Sequence, residues 1–105
     1  MTSYKVKITP DAKADLMRYR DYLLNKKRSP QAAKSVIQDF YNTASKLKDI
    51  AGSLAESESL ALKERNLKRI NFLKHDYFLL YRIEGTMEFI TNMFHSLEDF
   101  ERKLV

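Results

Sequence analysis

The chain has 105 residues, of which 44% are hydrophobic and 31% charged, and a chain of this length buries one core rather than two. We therefore expect a single globular domain over residues 1–105, and the net charge of +5 favours acidic or polyanionic partners. The absence of cysteine excludes disulfides and thiolate sites, and two histidines are too few for an ordinary metal site, so we predict no cofactor. No segment resembles a signal peptide or a membrane span, which favours a cytoplasmic protein.

The first half of the chain predicts a short strand followed by a helical hairpin. Apolar residues alternate with lysines over residues 4–8, the pattern of a strand with one buried face. The pairs Thr9-Pro10 and Ser29-Pro30 each combine an N-cap residue with a proline at the first helical position. Apolar residues at helical spacing follow each pair, namely Ala12, Leu16, Tyr19 and Leu23 in the first helix and Ala33, Val36, Ile37, Phe40, Ala44 and Leu47 in the second.

The second half predicts strands. A small, polar segment at residues 51–59 reads as a loop, and three strands follow over residues 65–73, 77–84 and 87–94. We place their turns at His75-Asp76 and at Gly85-Thr86, where a Gly-Xaa pair suits a type II′ turn. Ser96 with Asp99 resembles a capping box that opens a short C-terminal helix. The predicted fold is α+β, with an N-terminal strand, a helical hairpin, a three-stranded antiparallel meander and the C-terminal helix.

Two-residue turns would fix the strand register and assign every side chain to one face of the sheet. The face beneath the helices would be almost entirely apolar, and its members are Ile70, Phe72, Tyr77, Leu79, Tyr81, Ile83, Ile90 and Phe94. The other face would combine apolar residues, Met93 among them, with Arg69, Arg82 and His95. In this register Arg69 lies directly opposite Arg82, which is unfavourable for like charges unless water or the diagonal Glu84 relieves it.

This mixed face has two interpretations. It is either a solvated surface with a salt bridge or a concave surface that receives an anion, such as an acidic protein segment or a phosphate backbone. The residues that would bind such an acidic segment or a nucleic acid are basic, namely Arg65, Lys68, Arg69, Lys74 and Arg82. His95 at a strand end equally suits a simple hydrogen-bonding role, and His75 beside Asp76 is expected to be exposed.

Several segments in this order resemble the RelE/ParE superfamily of toxins from type II toxin–antitoxin modules. They are YKVKITPDAKADLMRYRDYLL, SPQAAKSVIQDFYNTASKL, YFLLYRIEG and FHSLEDFERKL. The resemblance implies a toxin neutralised by an antitoxin that wraps around it. It also implies one of two activities, because RelE-like members cut messenger RNA in the ribosomal A site whereas ParE-like members poison DNA gyrase.

Position by position, the resemblance is closer to the gyrase-directed branch. Arg69 and His95 fall where RelE-like nucleases carry a basic residue and a histidine or lysine. Phe78 stands where those nucleases usually carry an arginine, and Ser96 and Leu97 replace a further basic residue. We therefore favour a ParE-like growth inhibitor. The alternatives are a ribosome-dependent endonuclease, with His95 as base and Arg69 and Arg82 as phosphate ligands, and a non-toxic relative that only binds antitoxins.

Overall fold

The structure, a computed structural model, describes residues 4–50, 60–98 and 100. Its elements in chain order are β1 (Lys5–Ile8), α1 (Pro10–Asn25), α2 (Pro30–Ile50), α3 (Leu60–Glu64), β2 (Lys68–Asn71), β3 (Tyr77–Glu84) and β4 (Met87–His95). The predicted strand, helical hairpin and three later strands are confirmed, whereas α3 was not predicted. The predicted loop at residues 51–59 and most of the predicted C-terminal helix lie outside the described residues. No helix in the described part of the chain is long and apolar enough to cross a membrane.

Both long helices begin as their sequences predict. The hydroxyl oxygen of Thr9 accepts the N–H of Ala12 at 3.2 Å, and Pro10 takes the first helical position. In the same way the hydroxyl of Ser29 accepts the N–H of Ala32 at 3.2 Å. These caps satisfy backbone N–H groups that have no partner within the helix. Each helix start is therefore fixed by local chemistry.

The sheet is mixed rather than purely antiparallel. Its strand order is β1-β4-β3-β2, and β1 pairs with β4 in parallel, from Lys5 beside Met87 to Ile8 beside Ile90. The predicted antiparallel meander of β2, β3 and β4 is confirmed, whereas the partner and direction of β1 were not predicted. Alternation of apolar residues indicates a strand but carries no information about its partner or direction, so the sequence pattern left this pairing undetermined.

Each face of the sheet buries apolar side chains. Beneath α1 and α2 lies the larger core, whose fully enclosed members include Leu16, Phe40, Leu79, Tyr81 and Met93. On the opposite face, which we call the outer face, a second cluster comprises Leu62, Phe78, Leu80 and Phe94, with Leu67 and Phe100 packed against it. The run YFLLY in β3 is buried throughout because both faces of that strand are covered.

The turn between β2 and β3 is longer than predicted, which corrects the register of the arginines. Arg69 pairs with Leu80 and not with Arg82. Residues 73–76 form a four-residue turn because Asp39 of α2 accepts the backbone N–H groups of Leu73, Lys74 and His75 at 3.0–3.2 Å. The register shift is two residues, so Arg69 and Arg82 still share a face.

A β-bulge in β4 reverses the predicted faces of its last residues. Leu80 pairs with Asn92 but Tyr81 pairs with Ile90, so Thr91 is an extra residue on β4. Beyond it, Met93 joins the core beneath the helices and Phe94 joins the outer cluster, the opposite of the prediction. His95 pairs with Tyr77 and lies on the helical side, so the prediction that it shares a face with Arg69 and Arg82 is wrong.

The bulge is held by polar groups of α1 and its cap. The backbone N–H and the hydroxyl of Thr9 both donate to the carbonyl of Ile90, at 3.1 and 2.8 Å. In the second turn of α1, the carboxylate of Asp15 accepts the N–H of Met93 at 3.0 Å. Backbone groups that the irregular ladder leaves unpaired are thereby satisfied.

Glu88 is a buried acid. It is 0% exposed, sits between β1 and β3, and neither carboxylate oxygen accepts a hydrogen bond from the described part of the chain. Burial raises the pKa of Glu88 from 4.5 to about 7. Since the neutral form is far cheaper to bury than the charged form, folding favours a protonated Glu88.

The first prediction concerns Asp39. The carboxylate of Asp39 accepts hydrogen bonds from three backbone N–H groups and contacts His75. Because Asp39→Asn removes its charge, we expect the free energy of unfolding to fall by about 3 kcal/mol. Burial raises the pKa of Asp39, but the hydrogen bonds from His75 and the backbone outweigh this and leave the pKa below its ordinary value. The contribution of Asp39 to stability is therefore present near neutral pH and lost as the pH falls through the lowered pKa.

Urea denaturation followed by circular dichroism measures the free energy of unfolding of Asp39→Asn. The control is Asp49→Asn, at an exposed position of the same helix. Equal midpoints for the two variants would contradict the prediction.

The second prediction concerns the pH dependence caused by Glu88. Between pH 4.5 and about 7 the unfolded chain ionises this carboxyl while the folded chain keeps it protonated, so stability falls with rising pH. Glu88→Met should remove this slope and raise the free energy of unfolding above pH 7 by about 2 to 3 kcal/mol. Denaturation midpoints across this range test it, with Glu84→Met at an exposed position of β3 as control. If the pH dependence of stability persisted in Glu88→Met but disappeared in Glu84→Met, its assignment to Glu88 would be wrong.

Candidate functional surface

Two arginines stack on aromatic rings of the outer face. The guanidinium carbon of Arg69 lies 3.8 Å from the ring centroid of Phe78, and that of Arg82 lies 4.8 Å from the centroid of Phe89. Arg69 reaches toward the start of β3 while Arg82 sits near its end, so the two cations diverge on either side of Leu80. Stacking fixes both guanidinium groups without consuming their hydrogen-bond donors.

The two arginines of the outer face keep a net positive charge, because among the described residues they have one carboxylate partner, Glu84, between them. Arg82 forms an ion pair with Glu84 at 3.5 Å, and Arg69 donates to the side-chain oxygen of Asn71 at 3.0 Å. The predicted diagonal contact between Glu84 and Arg69 is replaced by this pairing within β3. Burial lowers the pKa of Arg69, although an arginine stays charged at any physiological pH.

The outer face is not an open concave basin. The second apolar cluster fills the area beside the arginines, where Leu62 of α3 and Phe100 cover Phe78 and Phe94. Leu60, at the start of α3, is 68% exposed. What the surface offers is a pair of stacked cations over a buried apolar cluster, an arrangement that suits an acidic segment.

The other predicted basic residues do not join this pair. Lys68 alternates with Arg69 along β2 and so belongs to the opposite side of the sheet. Lys74 is exposed in the turn held by Asp39. Arg65, directly after α3, donates to the carbonyl of Ala61. Of the five residues predicted to bind a partner, the structure brings only Arg69 and Arg82 onto one face.

His95 lies on the helical side in a network with α1. Its ring meets the ring of Tyr77 edge-on at 5.0 Å, and its backbone N–H donates to the Tyr19 hydroxyl at 3.2 Å and to Glu98 at 3.0 Å. The Tyr19 hydroxyl also donates to Glu98. Burial and the Glu98 carboxylate raise the pKa of Tyr19, so it remains a hydroxyl. Sequence reasoning missed this network, because Tyr19 and His95 are 76 residues apart and only the fold brings them together.

His75, predicted to be exposed, is instead part of a hydrogen-bond chain. Its Nδ1 lies 2.7 Å from Asp39 and its Nε2 lies 3.1 Å from the hydroxyl of Ser35. The order Ser-His-Asp is that of hydrolase triads, but Ser35 is the sixth residue of α2. Helical N–H groups beyond the first turn already bond to carbonyls four residues back, so they do not supply an oxyanion hole beside Ser35. These hydrogen bonds therefore hold the β2–β3 turn against α2.

Comparisons with known proteins give two similarities. The family model of the ParE toxin of the type II toxin–antitoxin system parDE matches residues 6–100. The fold is similar to a solved chain of the chromosomal ParDE toxin–antitoxin system from P. aeruginosa, with a TM-score of 0.71 and 20% sequence identity over 90% of this chain and 98% of that chain. No curated protein sequence matches the chain. The structural similarity supports the predicted α+β fold class.

Proposed function

Because the chain belongs to the ParE toxin family of type II toxin–antitoxin systems, we propose that it inhibits growth by acting on DNA gyrase in the cytoplasm and that a cognate antitoxin neutralises it. The match of the family model over residues 6–100 carries this proposal. The family assignment fixes the class of the protein, and the target and the inhibitor are the proposed part.

The geometry of the candidate residues favours gyrase over messenger RNA as the target. Cleavage of RNA by a ribose 2′-hydroxyl needs a general base and cationic groups around one phosphate. His95 lies on the helical side of the sheet, whereas Arg69 and Arg82 lie on the outer face. A single phosphate therefore does not reach all three, which supports the non-nuclease branch.

The outer face suits the antitoxin. Two stacked guanidinium groups provide fixed partners for carboxylates. We propose that an acidic segment of the antitoxin crosses this face and pairs with Arg69 and Arg82. Opposite charges on the two surfaces would speed their encounter.

The third prediction tests the target. Purified chain added to DNA gyrase and relaxed plasmid should block supercoiling and leave cleaved plasmid, while relaxation by topoisomerase I, the control enzyme, continues. The cognate antitoxin should restore supercoiling when it is added first.

Two results would overturn the proposed target. One is unchanged gyrase activity together with new A-site cleavages in toeprints of translating ribosomes that vanish in His95→Ala, which would assign the nuclease activity. The other is induction in a host without growth arrest although the antitoxin binds, which would assign a non-toxic binding role.

The fourth prediction tests the antitoxin surface. Arg69→Glu with Arg82→Glu should weaken binding of the cognate antitoxin about 100-fold and reduce the dependence of the association rate on salt. Calorimetry and stopped-flow fluorescence measure the two effects. Lys13→Glu with Lys34→Glu changes the net charge equally at exposed sites on α1 and α2 and is the control. Equal affinities for both double variants would place the antitoxin on another surface.

A further inference from the structure

A cavity on the helical side of the sheet has the features of a small-molecule site. Its volume is about 640 Å³, and it lies between the second half of α1 and the end of β4. Cavities of roughly 300–1,000 Å³ are typical of sites that enclose small ligands. It lies across the sheet from Arg69 and Arg82, so it is distinct from the surface proposed for the antitoxin.

The walls of this cavity are aromatic and apolar. The rings of Tyr19, Tyr22 and Tyr77 line it, together with Leu23 and Leu97. Tyr22 is 48% exposed and Leu97 is 90% exposed, so apolar surface at the rim remains uncovered. Planar side chains around a space of this size favour a planar, apolar ligand body.

The imidazole of His95 brings a hydrogen-bond donor to the lining of this cavity. Its Nδ1 accepts the N–H of Leu97 at 3.1 Å, so the neutral ring carries its proton on Nε2. Among the described residues Nε2 has no hydrogen-bond partner, and His95 lines the cavity. The oxygen of a ligand would satisfy this donor.

The charges around the cavity favour an anion. Arg18 and Lys27 both line it and lie over the rings of Tyr19 and Tyr22, at 5.2 and 5.8 Å from the centroids. Among the described lining residues the one carboxylate is Glu98, which accepts hydrogen bonds from the Tyr19 hydroxyl and the His95 N–H but keeps its charge, so two cations stand against one anion. Asp15 pairs with Arg18 at 3.4 Å but is not part of the lining.

From these features we propose that the cavity binds a small aromatic carboxylate. The ring lies among the tyrosines, and the carboxylate accepts from Nε2–H of His95 and faces Lys27 and Arg18. The volume admits a ring of one or two cycles with its acidic side chain. This inference concerns a second site and does not depend on the target of the toxin.

A titration with a defined probe tests the proposal. Indole-3-acetate added to the ¹⁵N-labelled full chain should give saturable shifts of amide resonances at Tyr19, Leu23 and His95. Indole-3-acetamide, which has the same ring without the charge, should bind about tenfold more weakly. Saturable shifts confined to the outer face, no saturation up to the solubility limit, or equal affinity for the two probes would overturn the proposal.

Paired variants separate the site from general effects of mutation. Lys27→Gln should weaken binding of indole-3-acetate about two- to fivefold, whereas Lys26→Gln, the adjacent residue outside the lining, should leave it unchanged. Tyr22→Ala should weaken the binding of both probes, whereas Tyr41→Ala, at a position of nearly equal exposure on α2, should not. Identical affinities within each pair would show that the shifts do not report this cavity.

Discussion

The extra residue at Thr91 determines the side of the sheet on which the last part of β4 displays its side chains. Polar groups of Thr9 and Asp15 hold this irregularity by bonding the backbone of Ile90 and Met93. The first helix therefore does more than cover the sheet, because its cap and its second turn also fix the register of a strand some eighty residues away. The separation of the histidine from the two arginines is a direct result. A regular β4 would have assembled them on one surface.

Two buried acids show how hydrogen bonding decides the effect of burial. Asp39 is 2% exposed and accepts bonds from three backbone groups and one imidazole, which keep it ionised and make it the anchor of a turn. Glu88 is equally buried, but its oxygens meet no donor in the described part of the chain, and so its neutral form is favoured. Asp39 loses its stabilising contribution at low pH, whereas Glu88 lowers the stability of the folded protein as the pH rises toward 7. Together they narrow the pH range in which the fold is most stable.

The sequence predicted the features that depend on neighbouring residues. Thr9-Pro10 and Ser29-Pro30 marked both helix starts, and Gly85, with a φ of 62°, makes the predicted tight turn that pairs Glu84 with Met87. The family resemblance, carried by four segments in order, is confirmed by the match over residues 6–100. What escaped prediction depends on distant residues. Asp39 lengthens a turn from another helix, Thr9 and Asp15 support the bulge, and nothing in the alternation of β1 reveals its parallel partner. The misplaced face of His95 follows from the bulge alone.

The parallel pairing of β1 with β4 has a consequence for synthesis of the protein in the cell. Residues 5–8 find their partners at residues 87–90, so the sheet stays incomplete until the ribosome has released β4. Contacts of such long sequence separation close late in folding, since the loop between them must first be ordered. A nascent or prematurely terminated chain would carry Thr9 and Asp15 but lack the bulge that they support. The complete sheet would thus form only after translation has passed the final strand.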